Sequence, residues 1–397
     1  MRRSDDRTQR THDVVLFGAT GFAGTLTAEY LAEHAPAEVR WALAGRDQEK
    51  LKRLRDRLAR RHPRLAELPL LHADSTDPAS LRAVAADSRV VATTVGPYLR
   101  YGEPLVAACA EAGTDYVDLT GEPEFVDLMY LRHHALARET GARIVHACGF
   151  DSVPHDLGVH YTVGLLPEGV PLRVQGFVRT NGTFSGGTFA SVLHAMSRPV
   201  SMVRTAKARR RSEPWPADRT VRGTAGTLHR RRDLGAWAVP LPTVDPQIVA
   251  RSAAADDRYG PDFHYAHHAV VKRLPVVAGG AAGLGALFAL AQVPWARNWL
   301  SGRLMPGEGP DEARRAGSWF AVRFSGEGGG RRVVTEVSGG DPGYDETAKM
   351  LAESALCLAF DDLPETAGQV TTATAMGDAL TGRLVRAGIT FRTVAER

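Results

Sequence analysis

The chain has 397 residues, 44% hydrophobic and 24% charged, which suits two folded domains and excludes a disordered or fibrous protein. Its net charge of +4 is spread along the sequence, and the dense run "ARRRSEPW" lacks the aromatic interleaving of a nucleic-acid surface. That run reads as a solvated loop, and no nucleic-acid partner is expected.

The opening "MRRSDDRTQRTH" has no apolar core, so residues 1–11 read as a disordered tail and not as a secretory signal. Cys109, Cys148 and Cys357 lie far apart among small apolar residues and read as buried thiols of a reducing, cytoplasmic compartment. The histidine pairs His133–His134 and His267–His268 lack the i, i+4 spacing of a zinc helix, so no metal is expected.

"VVLFGATGFAGTLTAEYLAEH", Val14 to His34, joins an apolar strand to a helix through Gly18, Gly21 and Gly24. The first glycine permits a sharp turn, the second lets the backbone approach a pyrophosphate, and the third lets helix pack on strand. The helix N-terminus then faces the phosphates with partial positive charge. The spacing is G-x-x-G-x-x-G, one residue longer than G-x-G-x-x-G, with Thr20 and Phe22 inside the turn. In "VRWALAGRDQEKLKRL", Arg46 stands where the 2′-phosphate of NADP would lie, and Lys50 and Arg53 add positive potential. Asp47 could instead hold the ribose of NAD, but followed by Gln48 and Glu49 it reads as a helix cap. The expected cofactor is NADPH.

Strand–helix alternation continues through "ELPLLHAD", "SRVVATTVGPY", "TDYVDLTGE" and "ARIVHACGFDSVP". Six strands in this order predict a Rossmann-type, doubly wound parallel sheet over residues 12–152. Loops at the strands' carboxyl ends line the cofactor crevice in that fold. Thr94, Val95 and Gly96 then fall near the nicotinamide with the Cys148–His155 loop, and Asp74 and Ser75 near the adenine.

Residues 153–342 read as a second α+β domain. A strand leads through Ser185, Gly186 and Gly187 into a helix, and "DFHYAHHAVVKRL", "SWFAVRFSGEG" and "RRVVTEVSGGD" have the alternation of antiparallel strands. Residues 343–397 carry two long helices, "GYDETAKMLAESALCLAF" and "TTATAMGDALTGRLVRAG", and a closing strand "ITFRTV". "PVVAGGAAGLGALFALAQVPW", 275–295, is apolar almost throughout; a membrane span needs about 20 such residues. A buried core helix is the leading reading, beside the wall of an apolar substrate channel and a peripheral membrane contact, for which the flanking basic residues speak.

"GATGFAG", "LAGR", "TTVGPYLRYGEPLVAACAEAGTDYVDLTGE", "CGFDSVPHDLG", "SGGT" and "DPGYDETAKMLAESALCLA" together resemble the saccharopine dehydrogenase-like oxidoreductases, closest to bacterial trans-acting enoyl reductases of lipid and polyketide assembly. The resemblance implies NADPH, a second domain with a mixed sheet, and C-terminal helices that return to the nucleotide domain. It also implies reduction of a C=C bond in an unsaturated acyl, polyketide or isoprenoid-like substrate, free or carrier-bound. Such chemistry needs a donor near the carbonyl and a proton source for the α-carbon. Tyr98, Tyr101, Asp151 and His155, on the two loops expected to bracket the nicotinamide, are the catalytic candidates. Each has a plainer reading: loop packing for the tyrosines, a helix cap for Asp151, an exposed first turn for His155. Two other functions stay open: an imine or carbonyl reductase of saccharopine dehydrogenase type, and a non-catalytic, lipid-associated NADP-binding protein. The former needs clustered arginines, for which Arg179 and Arg323 are candidates. The oligomeric state is left open.

Overall fold

The computed structural model describes residues 9–182, 193, 196–293 and 310–396. The turn expected at Ser185, Gly186 and Gly187, the "SGGT" motif and the last two residues of the 275–295 run lie outside the described residues.

Strand β1 (His12–Phe17) is buried at every position, because parallel strands flank it and helices cover both its faces. It leads into α1 (Phe22–His34), then β2 (Trp41–Gly45), α2 (Gln48–Arg61), β3 (Leu70–His72), α3 (Pro78–Ala86) and β4 (Ser88–Thr93). A short α4 (Tyr98–Tyr101), α5 (Glu103–Ala112), β5 (Asp115–Asp118), α6 (Pro123–Thr140) and β6 (Arg143–Val145) complete the alternation. The pairing order 6-5-4-1-2-3 is the doubly wound sheet expected from the strand–helix alternation. Helices α5 and α6 stop where Gly113 and Gly141 turn left-handed, with φ of 68° and 81°.

The sheet has a seventh strand that the sequence reading did not include. β14 (Gly368–Val370) comes from the far end of the chain and pairs in parallel with β6. Ahead of it, α12 (Asp345–Phe360) lies on α1, β4 and β5. The second predicted C-terminal helix is broken in two, α13 (Thr372–Ala375) and α14 (Gly377–Arg386), because Gly377 takes φ +41° at the junction.

The second sheet is mixed. β7 (Leu172–Thr180) lies between β12 (Phe320–Gly328), antiparallel to it, and β11 (Asp262–Val271), parallel to it. β13 (Arg331–Gly339) pairs with β12 across a turn at Gly329–Gly330, and with the closing strand β15 (Thr390–Glu396). On the other side, β8 (Thr220–Thr224) and β10 (Ala236–Pro240) share the edge of β11, and β9 (His229–Arg231) follows β10. Helices α7 (Val153–Val163) and α9 (Asp245–Ala255) pack on this sheet. One apolar core runs from Leu16 of the first sheet to Phe263 and Phe324 of the second and Met350 of α12.

Two segments depart from their expected surroundings. The basic run is solvated at Arg210 and Arg211 but is not a loop: it ends α8 (Pro199–Ser212), and Arg209 is 1% exposed. The apolar run forms α10 (Leu274–Ala291), which is not a core helix, since only 6% of it is buried. Between α10 and β12 lies the short α11 (Glu312–Ala316).

Candidate functional site

The glycines of the first turn have separate jobs. Gly18 takes φ +84°, and a Cβ there would lie 2.6 Å from the Val95 side chain. A Cβ on Gly24 would lie 2.2 Å from the Gly18 carbonyl, so these two glycines serve the fold itself. Gly21 is different: an added Cβ would meet only the Gly18 carbonyl, at 3.4 Å. Gly21 is exposed and is the N-cap of α1, which has no side-chain cap and no acid in its first turn. An open position at an uncapped helix N-terminus fits a pyrophosphate.

Around it stand the other expected contacts. Thr20 is exposed and Phe22 half-buried, its ring edge-on to Tyr344. Thr94 Oγ1 donates to the Gly18 carbonyl at 3.1 Å, tying the end of β4 to the turn; Val95 packs beside it and Gly96 is exposed. At the end of β2, Arg46 is exposed, while Asp47 accepts from the Lys50 amide at 3.0 Å and caps α2. Asp47 is thus engaged as a cap, and Arg46 and Lys50 remain as the cations of this corner. Asp74 accepts from the Thr76 amide and hydroxyl, both at 2.8 Å; these bonds, with the Arg46 charge adding less, hold it below the usual carboxylate range. Ser75 is half-buried beside it.

The four catalytic candidates separate. Tyr98 is buried, and its hydroxyl donates to the Thr93 carbonyl (3.2 Å) and accepts from the Leu119 amide (3.1 Å). Both capacities are taken, so Tyr98 ties the loop after β4 to the loop after β5 and has no hydroxyl left for substrate. The amides of Tyr98 and Leu99 are held by Glu122 at 2.9 and 3.0 Å. Tyr101 is half-buried with the Arg100 guanidinium 5.0 Å over its ring.

Asp151 follows β6, close against Gly121 of the loop after β5, where a Cβ would come within 2.8 Å of its Oδ2. Desolvation pushes its carboxyl up to about 6. It does not cap α7, whose N-cap is Ser152.

His155 is not on an exposed turn. It is 2% exposed, and burial pushes it down to about 3. Its Nε2 lies 3.8 Å from Asp245 Oδ1, and Asp245 Oδ2 lies 3.5 Å from His267 Nε2. His267 Nδ1 meets the Tyr265 hydroxyl at 2.7 Å, and Thr243 Oγ1 donates to Asp245. Burial, then the Asp151 charge, drives Asp245 well above the carboxylate range; burial, then His155, drives His267 well below the imidazole range.

Asp245 and His267 were missed in the sequence. Asp245 opens α9 as an Asp-Pro pair, and His267 follows Phe263 and Tyr265 on the inward face of β11. That period-two pattern was the available signal, because a histidine on the buried side of a strand needs a polar partner. The cysteines Cys109, Cys148 and Cys357 are buried and unpaired as thiols, in keeping with the sequence reading.

The profile of the saccharopine dehydrogenase NADP-binding domain matches residues 14–145. The trans-acting enoyl reductase of Mycobacterium ulcerans is 37% identical over 96% of this chain and 97% of its own. That of Mycobacterium tuberculosis is 38% identical over 97% and 98%. The apo saccharopine dehydrogenase (L-Glu forming) of Saccharomyces cerevisiae superposes with a TM-score of 0.52 at 13% identity, over 97% of this chain and all 100% of that one, which establishes the fold. By its relatives and its nucleotide domain, the chain belongs to the trans-acting enoyl reductases, a branch of the saccharopine dehydrogenase-like oxidoreductases that uses NADP(H).

Proposed function

We propose that this protein is a cytoplasmic NADPH-dependent enoyl reductase that saturates a C=C bond in a lipophilic acyl, polyketide or isoprenoid-like substrate, free or carrier-bound. The observation that carries the reading is a desolvated acid, Asp151, on the loop after β6 and against Gly121 of the loop after β5, in the same parallel sheet whose β1 and β4 ends are tied together at the cofactor turn by Thr94 and Gly18. Bound NADPH supplies hydride for the β-carbon. The chain's own residues do the rest. The amides at the start of α1 receive the pyrophosphate, and Arg46 pairs with the 2′-phosphate as a charge-assisted contact. Asp151, kept protonated more readily than an exposed carboxyl, delivers a proton to the α-carbon. Tyr101, on the loop expected to border the nicotinamide, is the remaining hydroxyl donor for the substrate carbonyl.

The lipophilic substrate is supported by α10, an exposed apolar helix preceded by Lys272 and Arg273. We place the entry of the acyl chain, and a peripheral contact with lipid, at this helix. The imine-reductase alternative loses one of its two cations: Arg323 pairs with Glu336 at 2.9 Å, whereas Arg179, 5.7 Å over the Trp319 ring, keeps its charge.

The test follows NADPH oxidation with α,β-unsaturated acyl thioesters of increasing chain length. Asp151→Asn should retain NADPH affinity and lose about 10²–10⁴-fold in turnover, while Arg46→Ala should weaken NADPH far more than NADH. NADPH binding without oxidation by any unsaturated acyl chain would favour the non-catalytic lipid-associated protein. Undiminished turnover in Asp151→Asn would remove the assigned proton source.

A further inference from the structure

We infer that His155, Asp245 and His267 form a site for one divalent transition-metal ion of the zinc class. Their ligand atoms all lie within 4.8 Å of one another, and the three residues are 2%, 2% and 0% exposed. A four-coordinate ion with bonds near 2.0 Å spaces its ligands about 3.3 Å apart. His155 Nε2 lies 3.8 Å from Asp245 Oδ1 and His267 Nε2 lies 3.5 Å from Asp245 Oδ2, so the imidazoles face different oxygens of one carboxylate, and side-chain rotation must draw the ligand atoms in from within 4.8 Å to reach that spacing.

Two further features point the same way. First, Asp245 Oδ1 and His267 Nε2 are buried with no hydrogen-bond partner among the described residues, although each faces another member of the group. Buried polar atoms ordinarily have partners, and a shared cation would satisfy both. Second, the outer contacts are those that orient metal ligands. Tyr265 holds the other ring nitrogen of His267 at 2.7 Å, and Thr243 holds the Asp245 carboxylate.

Two imidazoles and one carboxylate suit zinc, cobalt or nickel better than calcium or magnesium, whose ligands are oxygens. Three protein ligands also leave a position for water or a substrate oxygen. The three come from the first turn of α7, the first turn of α9 and the middle of β11, so the ion would tie the loop after β6 to the second sheet.

The test uses the full chain without a polyhistidine tag, stripped with a chelator and dialysed against zinc or cobalt(II). One ion per chain is expected, with the visible absorption of four-coordinate cobalt. His267→Gln and Asp245→Asn should each abolish stoichiometric uptake. Tyr265→Phe, which touches no ion directly, should weaken it about 10- to 100-fold. Circular dichroism checks that each variant is folded; if the ligand substitutions unfold the chain, uptake by the unmodified chain and its weakening in Tyr265→Phe, which removes only a hydroxyl, decide. No stoichiometric uptake by the unmodified chain, or uptake undiminished in folded His155→Gln and Tyr265→Phe, would overturn the site. Neither substrate nor NADPH enters the measurement, so its failure leaves the reductase reading untouched.

Discussion

A basic run and the most apolar run of the chain both depart from the surroundings their composition suggests: one arginine of the first goes inside, and nearly the whole of the second stays out. In α8, Arg209 is buried and bonded to Glu213 through Nε at 2.8 Å and Nη2 at 2.7 Å; Nη1 reaches Asp127 and the Val126 carbonyl, both at 3.2 Å. Its guanidinium also sits 4.2 Å over the Tyr130 ring. Its sequence neighbours Arg210 and Arg211 are exposed, so one helical position, not the run, is taken inside. In α10 the reverse holds. Leu284 is 56% exposed, and a Cβ on Gly279, Gly280, Gly283 or Gly285 would meet nothing within 4 Å. Burial follows from the partners that the fold presents, and polarity alone does not name them. Arg209 has two carboxylates and an aromatic face waiting; among the described residues α10 has little beyond its anchored end, where Gln292 donates to the Met196 carbonyl at 2.7 Å.

The sharpest way to break this contrast is to remove the arginine. Arg209→Met leaves Asp127 and Glu213 buried with one fewer cation, and such losses cost about 3–5 kcal/mol. Arg251, 2.9 Å from Asp127 and 3.2 Å from Glu213, still serves both carboxylates and puts the expectation near the lower end. Urea unfolding measures it. A change below about 0.5 kcal/mol, the range of ordinary surface substitutions, would return the basic run to solvent.

A smaller effect sharpens the same point through pH. Burial alone would raise Glu213, but the Arg209 hydrogen bonds and the Arg251 charge outweigh it and hold the carboxyl below its ordinary value. A depressed folded value means that the unfolded chain binds the proton more readily. The contribution to stability is therefore present above the ordinary carboxylate range, near pH 4.3, and is lost as pH falls through the folded value. The gap in melting temperature between the unmodified chain and Arg209→Met should narrow from about pH 7 to about pH 3. A gap that stays constant would mean that Arg209 stabilises by packing on Tyr130 and not through Glu213.

What could be read in the sequence follows the range of the interactions involved. Asp47 caps its helix as read, because a cap is decided within three residues. β1 and the sheet order follow from local periodicity and the handedness of strand–helix–strand units. β14 was not legible: three residues, "GQV", are too few to show a period, and their partner β6 lies more than two hundred residues earlier. The same limit hid half of the candidate site. Gly18, Gly21 and Gly24 sit in one turn, whereas His155 acquires Asp245 and His267 only when α9 and β11 close over α7. Metal-helix spacing searches one element at a time, and this group has one residue on each of three.

The apolar half of the comparison has the smallest expected effect on stability and the largest on substrate. α10 has 18 residues, a mean hydropathy of 1.9, and at about 1.5 Å per residue a length close to the hydrocarbon core of a bilayer. Replacing Leu284 and Leu287 together by Ser removes apolar surface that at Leu284 is already in water and at Leu287 is half-buried. The fold should then lose no more than about 0.5 kcal/mol at Leu284, and at Leu287 less than the about 2–5 kcal/mol of truncating a buried leucine. NADPH affinity should not change. If the helix receives the acyl chain, each methylene buried against it contributes about 0.8 kcal/mol, nearly fourfold in affinity. The gain in apparent affinity with chain length should therefore flatten in the double variant, and its adsorption to anionic phospholipid vesicles should fall. Thermal melting, NADPH titration and a chain-length series on that one protein separate the outcomes. A lower melting temperature with NADPH affinity lost alongside it would mean that α10 packs against the body of the enzyme in solution. The exposed helix would then be a core helix after all, and Arg209 would stand alone as the segment whose surroundings its composition misstates.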